Sequence, residues 1–432
     1  MSEPRIVMTM SVRNEDDVLA ANLLAHRALG VDRFVILDNG STDGTPAILE
    51  RWAEAGLAKV IEAPDAPLRE VIREWPNRLA HVAIEEMDPD WVIHDDADEI
   101  WWPLCGSLKE ALAGIAAGYH AVLAPRVEFA ARPDGPEPFW ERLVIRDRAA
   151  RVRPKLAHRA IHDVYVSGGA HRVASASLAG PSRLGRASMR RYRPDPDAAA
   201  RSQRWHEPSE WLPPAPAFPI RILHFPLRSS AQYRRRVEAG LNVATADAGR
   251  PRVREIRSAL AAGRIEEDFR ALALGAADIE RGLADGTLVE DTSFRDLMRS
   301  LPDPEAAPEP RAPLRAPAPP DRDALERELE DNLSEALRSM TLSESVAWLG
   351  VRQARAKLAA SRRGAAARRR RAARLRSRVG RLERRRARGR ARLARIRAER
   401  DRLRTAERMR LLNRARATLG LRPFGREGRG RS

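Results

Sequence analysis

Residues 91–99 read WVIHDDADE, so an apolar strand runs directly into a segment with four acidic residues out of five. In an open α/β sheet, ligands bind beyond the carboxyl ends of the strands. Neighbouring carboxylates repel one another, and a hard divalent cation held by carboxylates of this segment would relieve that repulsion while taking its other ligands from substrate phosphates. The alternative is a solvated acidic turn or a helix N-cap. The segment therefore predicts a buried strand that ends at a metal site.

Three similar apolar runs precede this strand, and each is followed by a helical pattern. We predict strands at residues 5–11, 33–37, 59–62 and 91–94, and helices at residues 15–29, from Thr45-Pro46 onward and at 68–87. Strands that alternate with helices form βαβ units, and these build a mostly parallel sheet with helices on both faces. Residues 121–228 are less regular, with short strands at 121–124 and 220–224, and helical periods dominate residues 229–300. The sequence therefore predicts an α/β fold with a helical extension.

Two other predicted strands also end in polar segments. Residues 38–45, DNGSTDGT, follow the second strand, where Asp38 can accept a hydrogen bond from a nucleobase or a ribose hydroxyl. The glycines allow the backbone to approach a ligand closely. Residues 12–15, VRNE, follow the first strand. Taken alone, the first segment is also typical of a turn with an N-cap, and the second of a helix cap.

In their order along the chain, the segments at residues 12–15, 38–45 and 95–99 resemble the glycosyltransferase family 2 domain with the GT-A fold. The resemblance is to a bacterial subgroup with an RNE, a DNGSTDGT and a DxDE motif, and it covers about residues 5–230. It implies a mixed, mostly parallel sheet and an enzyme that transfers a sugar from a nucleotide-diphosphate donor, inverting the anomeric centre by direct displacement. It also implies Mn²⁺ or Mg²⁺ on Asp96 and Asp98, where the ion acts as a Lewis acid and template for the diphosphate. The donor-binding residues implied by these motifs are Asn14, Glu15, Asp38, Asp43 and Asp96.

Three later segments resemble further stretches of the same subgroup. They are residues 154–159 (PKLAHR), 168–171 (GGAH) and 222–229 (ILHFPLRS), and Ala170 departs from the Asn of the subgroup's pattern. The candidates that they add are His171 and His224 as metal ligands, and Lys155, Arg159 and Arg228 as partners of donor phosphates. Each has a structural alternative, which is a histidine bonded to the backbone or an ordinary surface cation.

The catalytic base is an open position. An attacking acceptor hydroxyl needs a group that takes its proton. The chain lacks the Glu-Asp pair that many family 2 members carry after the acceptor loop, so Glu128 and Asp163 are the candidates that their order along the chain favours. The alternative for each is a loop carboxylate without a catalytic role.

Charge divides the chain into an acidic body and a basic tail. Residues 351–432 hold 32 Lys and Arg against 5 Asp and Glu, a net charge of +27, while the remaining residues carry −9. Residues 302–320 contain eight prolines, a composition that resists a packed fold. We therefore predict a catalytic domain at residues 1–228, a helical extension at 229–300, a Pro/Ala-rich linker at 301–322 and a helical, Arg-rich tail with a degraded coiled-coil pattern at 323–432.

The basic tail has several interpretations. It can dock on an anionic membrane surface, form a homo-oligomer through the coiled coil, bind a polyanion such as nucleic acid, or be a passive solvated helix. Phe424 is the only aromatic residue among residues 351–432, which disfavours base stacking on a single strand. We expect a membrane surface or a second copy of the chain rather than nucleic acid.

Composition excludes several other classes. Cys105 is the only cysteine, so an internal disulfide and a cysteine-rich zinc site are excluded, and a reducing compartment is expected. The chain has no Gly-Lys dipeptide and therefore no P-loop, and no dinucleotide fingerprint follows the first strand. It shows neither a secretory signal nor the run of about 18 apolar residues that a spanning helix needs. We expect a cytoplasmic protein, with peripheral docking at the inner face of the membrane as one option.

The motifs and the family resemblance together favour a metal-dependent glycosyltransferase. The resemblance further implies a glycan or lipid-linked acceptor and a place in cell-surface polysaccharide synthesis. One rival is a nucleotidyltransferase, which would need a Gly-rich phosphate loop near the N-terminus, and residues 10–15 do not supply it. The other rival is a non-catalytic scaffold that binds a polyanion or a membrane and carries a degenerate transferase domain. Hydrolysis of a nucleotide sugar would separate the enzyme from the scaffold.

Overall fold

The computed structural model divides the chain into two compact units, Met1–Ser345 and Val346–Ser432. It describes residues 3–178 except 65, 105, 149, 151 and 176, residues 212, 214, 215, 219–238, 256, 258–306 and 308, and isolated positions between 327 and 411. Most of the predicted linker and coiled-coil tail lies outside these residues, so both stay predictions. In the part of the chain that is described, no helix is long and apolar enough to cross a membrane.

Strands and helices alternate through the first hundred residues. The strands of the described residues are β1 (Ile6–Val12), β2 (Arg33–Asp38), β3 (Ala58–Glu62), β4 (Trp91–Asp95), β5 (Glu99–Pro103), β6 (Ala121–Ala124), β7 (Arg126–Phe129), β8 (Ile145–Asp147), β9 (Lys155–Arg159), β10 (Val164–Val166), β11 (Val173–Ser175), β12 (Ile220–His224) and β13 (Leu288–Glu290). The helices are α1 (Leu19–Ala28), α2 (Thr45–Glu54), α3 (Leu68–Arg73), α4 (Trp75–Met87), α5 (Leu108–Ala113), α6 (Phe139–Arg142), α7 (Ser230–Glu238), α8 (Ile265–Leu272), α9 (Ala276–Asp285) and α10 (Ser293–Ser300).

The first sheet confirms the predicted mixed α/β fold. Its strand order is β3-β2-β1-β4-β9-β6, in which β3, β2, β1 and β4 run parallel and β9 runs antiparallel to both of its neighbours. Strands β1, β2 and β4 are mostly apolar and buried, and Ile6, Phe34 and Ile93 are 0% exposed, whereas the edge strand β3 is only half-buried. Burial of this kind is typical of parallel strands that are covered on both faces. Helix α4 packs against β1 and β2, and α2 packs against β3.

A second sheet has the strand order β13-β8-β7-β12-β5. Strand β5 begins at Glu99, directly after the acidic turn that ends β4, so residues 96–98 connect the two sheets. Strand β12, which was predicted at residues 220–224, pairs with both β5 and β7. This pairing places His224 opposite Glu99 on one side and Glu128 on the other. A strand from late in the chain therefore ends beside the acidic turn.

Two predicted helices differ from the structure. The helix predicted at residues 15–29 begins at Leu19, because the preceding residues form a turn closed by hydrogen bonds to the Glu15 carbonyl. The helix predicted at residues 68–87 is two helices, α3 and α4. Pro76 lies in the first turn of α4 and lacks the amide hydrogen that a continuous helix would need there.

The described residues after β12, 225–238, 256 and 258–306, are mainly helical, in line with the predicted helical periods. Helices α7 to α10 fall within residues 229–300, but β13 lies between α9 and α10 and pairs with β8 of the second sheet. Phe294 and Met298 of α10 are buried in the main hydrophobic core. These helices therefore belong to the same compact unit as the sheets.

A chain of buried hydrogen bonds joins β1, β4 and β9. His94 Nδ1 lies 2.8 Å from Thr9 Oγ1, and His94 Nε2 lies 2.9 Å from His158 Nε2. His158 Nδ1 donates to the Arg159 carbonyl at 2.8 Å, because that oxygen can only accept. If both rings are neutral, His158 Nε2 carries no hydrogen and accepts from His94 Nε2. His94 Nδ1 then carries no hydrogen either and accepts from Thr9 Oγ1. Burial lowers the pKa of His158 to about 4 and that of His94 well below its usual value.

The neutral His158 makes stability depend on acid pH. The unfolded chain binds a proton at this histidine near pH 6.5, whereas the folded chain does so only near pH 4. The contribution of the neutral His158 to the free energy of unfolding is therefore complete above pH 6.5 and is lost as the pH falls toward 4. His158→Gln has no such proton. As the pH is lowered from 6.5 to 4, we expect the free energy of unfolding of wild type to fall relative to that of the variant by about 1.4 kcal/mol for each pH unit. Urea unfolding at several pH values measures it, and a gap that does not change with pH would contradict a neutral His158.

Candidate active site

The parallel strands bring the predicted polar segments to one edge of the first sheet. In the strand register, Val12 of β1 is aligned with Asp38 of β2, and Met10 of β1 is aligned with Asp95 of β4. The residues that follow β1, β2 and β4 therefore leave the sheet side by side. This is the carboxyl edge, at which open α/β sheets bind ligands.

The segments after β1 and β2 are joined by direct hydrogen bonds. The Asn14 backbone amide donates to Ser41 Oγ at 3.0 Å, and the side-chain oxygen Asn14 Oδ1 accepts from the Thr42 backbone amide at 2.7 Å. Asn14 has a φ of 56°, a left-handed conformation that Asn tolerates better than most residues. The Glu15 amide donates to Thr45 Oγ1 at 2.9 Å. Asn14 and Glu15 therefore hold the two loops together through short polar contacts.

Asp38 and Asp43 shape the second of these loops. Asp38 Oδ1 accepts from the Ser41 amide at 2.9 Å and from Ser41 Oγ at 2.7 Å. Asp43 Oδ1 accepts from the Thr45 amide at 2.9 Å. Burial alone would raise the pKa of Asp43, but hydrogen bonds from Thr45 outweigh it and lower that pKa. Both carboxylates thus have structural partners in the loop, and their contact with a donor stays a prediction.

Asn22 of α1 holds the acidic turn from below. Its Nδ2 donates to Asp95 Oδ2 at 2.9 Å, to the Ala97 carbonyl at 3.0 Å and to the Glu99 carbonyl at 2.8 Å. Asn22 Oδ1 lies 2.9 Å from His26 Nδ1 in the next turn of the same helix. Burial and the neighbouring Glu99 raise the pKa of Asp95 well above its usual range. Asp95 is therefore a buried support of the turn rather than an open carboxylate.

Asp96 and Glu99 share one buried cation. Lys155 Nζ lies 2.7 Å from Asp96 Oδ2 and 2.6 Å from Glu99 Oε2, and Arg126 Nη1 lies 2.7 Å from Glu99 Oε1. The Lys155 side chain is 3% exposed, whereas that of Asp96 is 59% exposed. Burial alone would lower the pKa of Lys155, but Asp96 and Glu99 raise it, so the lysine stays charged. Only the Asp96 side of this group faces solvent.

Asp98 has three basic neighbours of its own. Its Oδ2 lies 2.6 Å from Arg236 Nη1, 3.6 Å from His224 Nε2 and 3.9 Å from Arg228 Nη1. His224 Nδ1 lies 2.8 Å from Glu128 Oε1 on the other side of the ring. Burial alone would raise the pKa of Asp98, but Arg236 and His224 hold it well below its usual range. Burial alone would lower the pKa of His224, but Glu128 and Asp98 raise it to about 9.

Arg228 ties the end of β12 to the segment after β1. Its side chain is 1% exposed; Nη2 donates to Glu15 Oε2 at 2.7 Å, and Nε donates to Asp17 Oδ2 at 2.7 Å. Burial, opposed by Arg228, raises the pKa of Glu15 to about 7. Arg235 adds a bond to Asp16 at 3.0 Å. Arg228 is thus enclosed by protein carboxylates, and its predicted contact with a donor phosphate stays a prediction.

Three predicted site residues make their hydrogen bonds outside this group of acids. Arg159 is at the other end of β9 from Lys155, where it bonds to the carbonyls of Tyr119 and Ile115 and stacks on Trp91 at 4.5 Å. Asp163 accepts hydrogen bonds from Ser175 Oγ and the Ser177 amide, each at 2.6 Å. His171 Nδ1 donates to the Pro154 carbonyl at 2.7 Å, and burial lowers its pKa to about 4. These hydrogen bonds of Asp163 and His171 are thus with residues in or next to the β9–β11 region.

The carboxylates as they lie do not fit a divalent ion shared by Asp96 and Asp98. Asp96 is paired with Lys155, and Asp98 is paired with Arg236. Among the described residues, no three His, Cys, Asp or Glu side chains surround a common point. The repulsion expected between the acids is instead relieved by basic side chains of the chain itself, one of which, Arg126, bonds to Glu99.

Sequence reasoning missed Asn22, Arg126 and Arg236. They lie on three separate elements, α1, β7 and α7, and no local motif distinguishes them. Arg236 is the last of three consecutive arginines in an Arg-rich chain. The pairing of β12 with β5 and β7, and the packing of α1 against β5, bring such distant residues to the acids.

Comparisons with known proteins give likenesses to solved structures only. No protein-family model matches the chain, and no curated protein matches it. S. aureus TarS 1–349 in complex with UDP-GlcNAc is 16% identical over 31% of this chain and 36% of that chain, with a TM-score of 0.21. Glucosyl-3-phosphoglycerate synthase from Mycobacterium tuberculosis, in complex with Mn²⁺, UDP and glucosyl-3-phosphoglycerate, is 20% identical over 28% of this chain and 44% of that chain, with a TM-score of 0.20. The chain spans less than half of the length of each.

Proposed function

We propose that residues 1–228, together with α7, form a glycosyltransferase of family 2 type that uses a nucleoside-diphosphate sugar. The observation that carries this proposal is a single charged cluster at the carboxyl edge of the first sheet. The loops after β1, β2 and β4 contribute to it, and the end of β12 joins it through His224 and Arg228. Such an edge suits a ligand with a polar base at one end and a charged diphosphate at the other.

The reaction needs a carboxylate and several cations in one place. The acceptor oxygen forms a bond to C1 of the sugar, the bond from C1 to the diphosphate oxygen breaks, and its electron pair leaves with the diphosphate. The proton of the acceptor hydroxyl passes to a base. Glu128 is the base that we favour, because it contacts His224, which in turn contacts Asp98. Asp163, the other candidate, is held by Ser175 and Ser177 in the turn before β10.

The wider setting is also part of the proposal. We propose a glycan or lipid-linked acceptor in cell-surface polysaccharide synthesis, which rests on the resemblance of the sequence motifs to the family 2 subgroup. The net charge of +27 in residues 351–432 supports docking of the tail on an anionic membrane surface. The same tail could instead join copies of the chain, and deletion of residues 351–432 would separate its role from catalysis.

A thermal-shift panel of UDP-, GDP-, TDP- and CMP-sugars, each with EDTA or Mn²⁺, tests the proposed activity. A ligand that binds only the folded state raises the free energy of unfolding, by about 2.7 kcal/mol at 100 times its Kd. We expect one nucleotide class to raise the melting temperature. The paired conditions also test the Mn²⁺ or Mg²⁺ that the resemblance implies. If no donor shifts the melting temperature in either condition, the transferase proposal is wrong, and the non-catalytic scaffold becomes the better interpretation.

A further inference from the structure

We propose that the guanidinium of Arg236, rather than a divalent ion on Asp98, supplies the positive charge that binds the diphosphate of the donor. This inference rests on the proposed function, because it assigns a residue to the phosphate part of the same site. Neither the motifs nor the family resemblance marks Arg236. Its place in the structure is the reason for the assignment.

The first step of the argument is that the cation position at Asp98 is already filled. Arg236 Nη1 lies 2.6 Å from Asp98 Oδ2, the distance of a strong charge-assisted hydrogen bond. His224 Nε2 and Arg228 Nη1 follow at 3.6 and 3.9 Å. A divalent ion on this oxygen would have to displace one cation and would then face two more. Asp96 Oδ2 is likewise already paired with a cation, because Lys155 Nζ lies 2.7 Å from it.

The second step is that Arg236 is the accessible cation beside Asp98. Its side chain is 26% exposed, whereas that of Arg228 is 1% exposed and that of His224 is 10% exposed. Arg228 is also fully engaged by Glu15 and Asp17. A donor that reaches this edge of the sheet can therefore contact Arg236 without dismantling a buried ion pair.

The third step is that Arg236 has an unused donor. Nη1 donates to Asp98 and to the Pro226 carbonyl, but Nε is buried without a hydrogen-bond partner. Guanidinium presents its N–H groups as a planar fork that matches two oxygens of a phosphate. Asp98 can hold one edge of the group while the other edge receives the ligand. A buried polar atom without a partner is costly, and a shift of the partly exposed Arg236 side chain that brings Nε to a bound phosphate would relieve that cost.

These points give Arg236 a defined role in the proposed reaction. When the bond between C1 and the diphosphate oxygen breaks, negative charge grows on the departing diphosphate. A fixed guanidinium next to that oxygen stabilises the charge, as arginine does in other phosphate sites. Asp98 and His224 then act as positioning residues that orient Arg236 and limit its movement.

Binding of nucleoside diphosphates to the full chain tests the inference. Isothermal titration with UDP, GDP, TDP and CDP is carried out with EDTA and with Mn²⁺, on wild type, Arg236→Gln, Arg236→Lys and the control Arg234→Gln. Arg234 is two residues away on α7, pairs with Glu266 and has a side chain that is 42% exposed. Melting temperatures and circular dichroism show whether each variant is folded.

We expect wild type to bind one diphosphate in EDTA and Arg236→Gln to bind it at least about tenfold more weakly. Arg236→Lys keeps the charge but not the fork and should lie between them, while Arg234→Gln should match wild type. If wild type binds only with Mn²⁺ and a folded Arg236→Gln binds equally well, the inference is wrong and the proposed function stands. If wild type binds no diphosphate in either condition, the proposed function itself is wrong.

Discussion

Replacement of Arg228 by methionine is expected to lower the free energy of unfolding by about 3–5 kcal/mol. The Arg228 side chain is 1% exposed and donates to Glu15 and Asp17, each at 2.7 Å. Methionine fills a similar volume but leaves these carboxylates without their buried cation. The same change releases the contact between the end of β12 and the segment after β1, so the site should loosen with the fold.

Urea unfolding at neutral pH, followed by circular dichroism, measures the effect of Arg228→Met. The matched control is Arg234→Gln, which breaks an exposed pair with Glu266, and exposed pairs are worth less than about 1 kcal/mol. An Arg228→Met protein as stable as this control would show that the Arg228 network does not hold the segment after β1 in place.

The second large effect is expected at Asp98, where replacement by asparagine should slow sugar transfer at least about 100-fold. Asparagine keeps the shape of the side chain but loses the charge that holds Arg236 at 2.6 Å and His224 at 3.6 Å. Both basic groups would then lose their common partner, and the cation next to the donor diphosphate would no longer be fixed.

Release of nucleoside diphosphate from the donor that stabilises wild type measures the effect of Asp98→Asn. Glu266→Gln is the control, because it also removes one carboxylate that pairs with an arginine of α7, but on an exposed surface. A folded Asp98→Asn protein with the wild-type rate would place the chemistry elsewhere and would show that the group around Asp98 is not the catalytic site.

The sheet and its binding edge could be predicted from local sequence. Strands β1, β2 and β4 are apolar runs, and each is followed by a polar segment. Because parallel strands point the same way, their carboxyl ends meet at one edge whatever the details of packing. Where prediction of the elements was wrong, at residues 15–29 and 68–87, the cause was local backbone chemistry, including the missing amide hydrogen of Pro76.

The side chains of the site were harder to predict, as Lys155 and Arg159 illustrate. Both came from one segment and both were predicted to contact donor phosphates. They lie at opposite ends of β9, and a strand rises about 3.3 Å per residue. Lys155 therefore contacts Asp96, while Arg159 lies over Trp91 at the start of β4. The direction in which β9 crosses the sheet decides which of the two reaches the acids.

The amino-acid sequence by itself determined the strands, the acidic turn and the edge of the sheet at which charge collects, because these depend on the local order of apolar and polar residues. Only the tertiary structure decided which cation meets which carboxylate. Arg126 is 27 residues from Glu99, Arg236 is 138 residues from Asp98, and Arg228 is 211 residues from Asp17. Ion pairs act through distance in space, and partners so far apart along the chain are brought together only by strand pairing and helix packing.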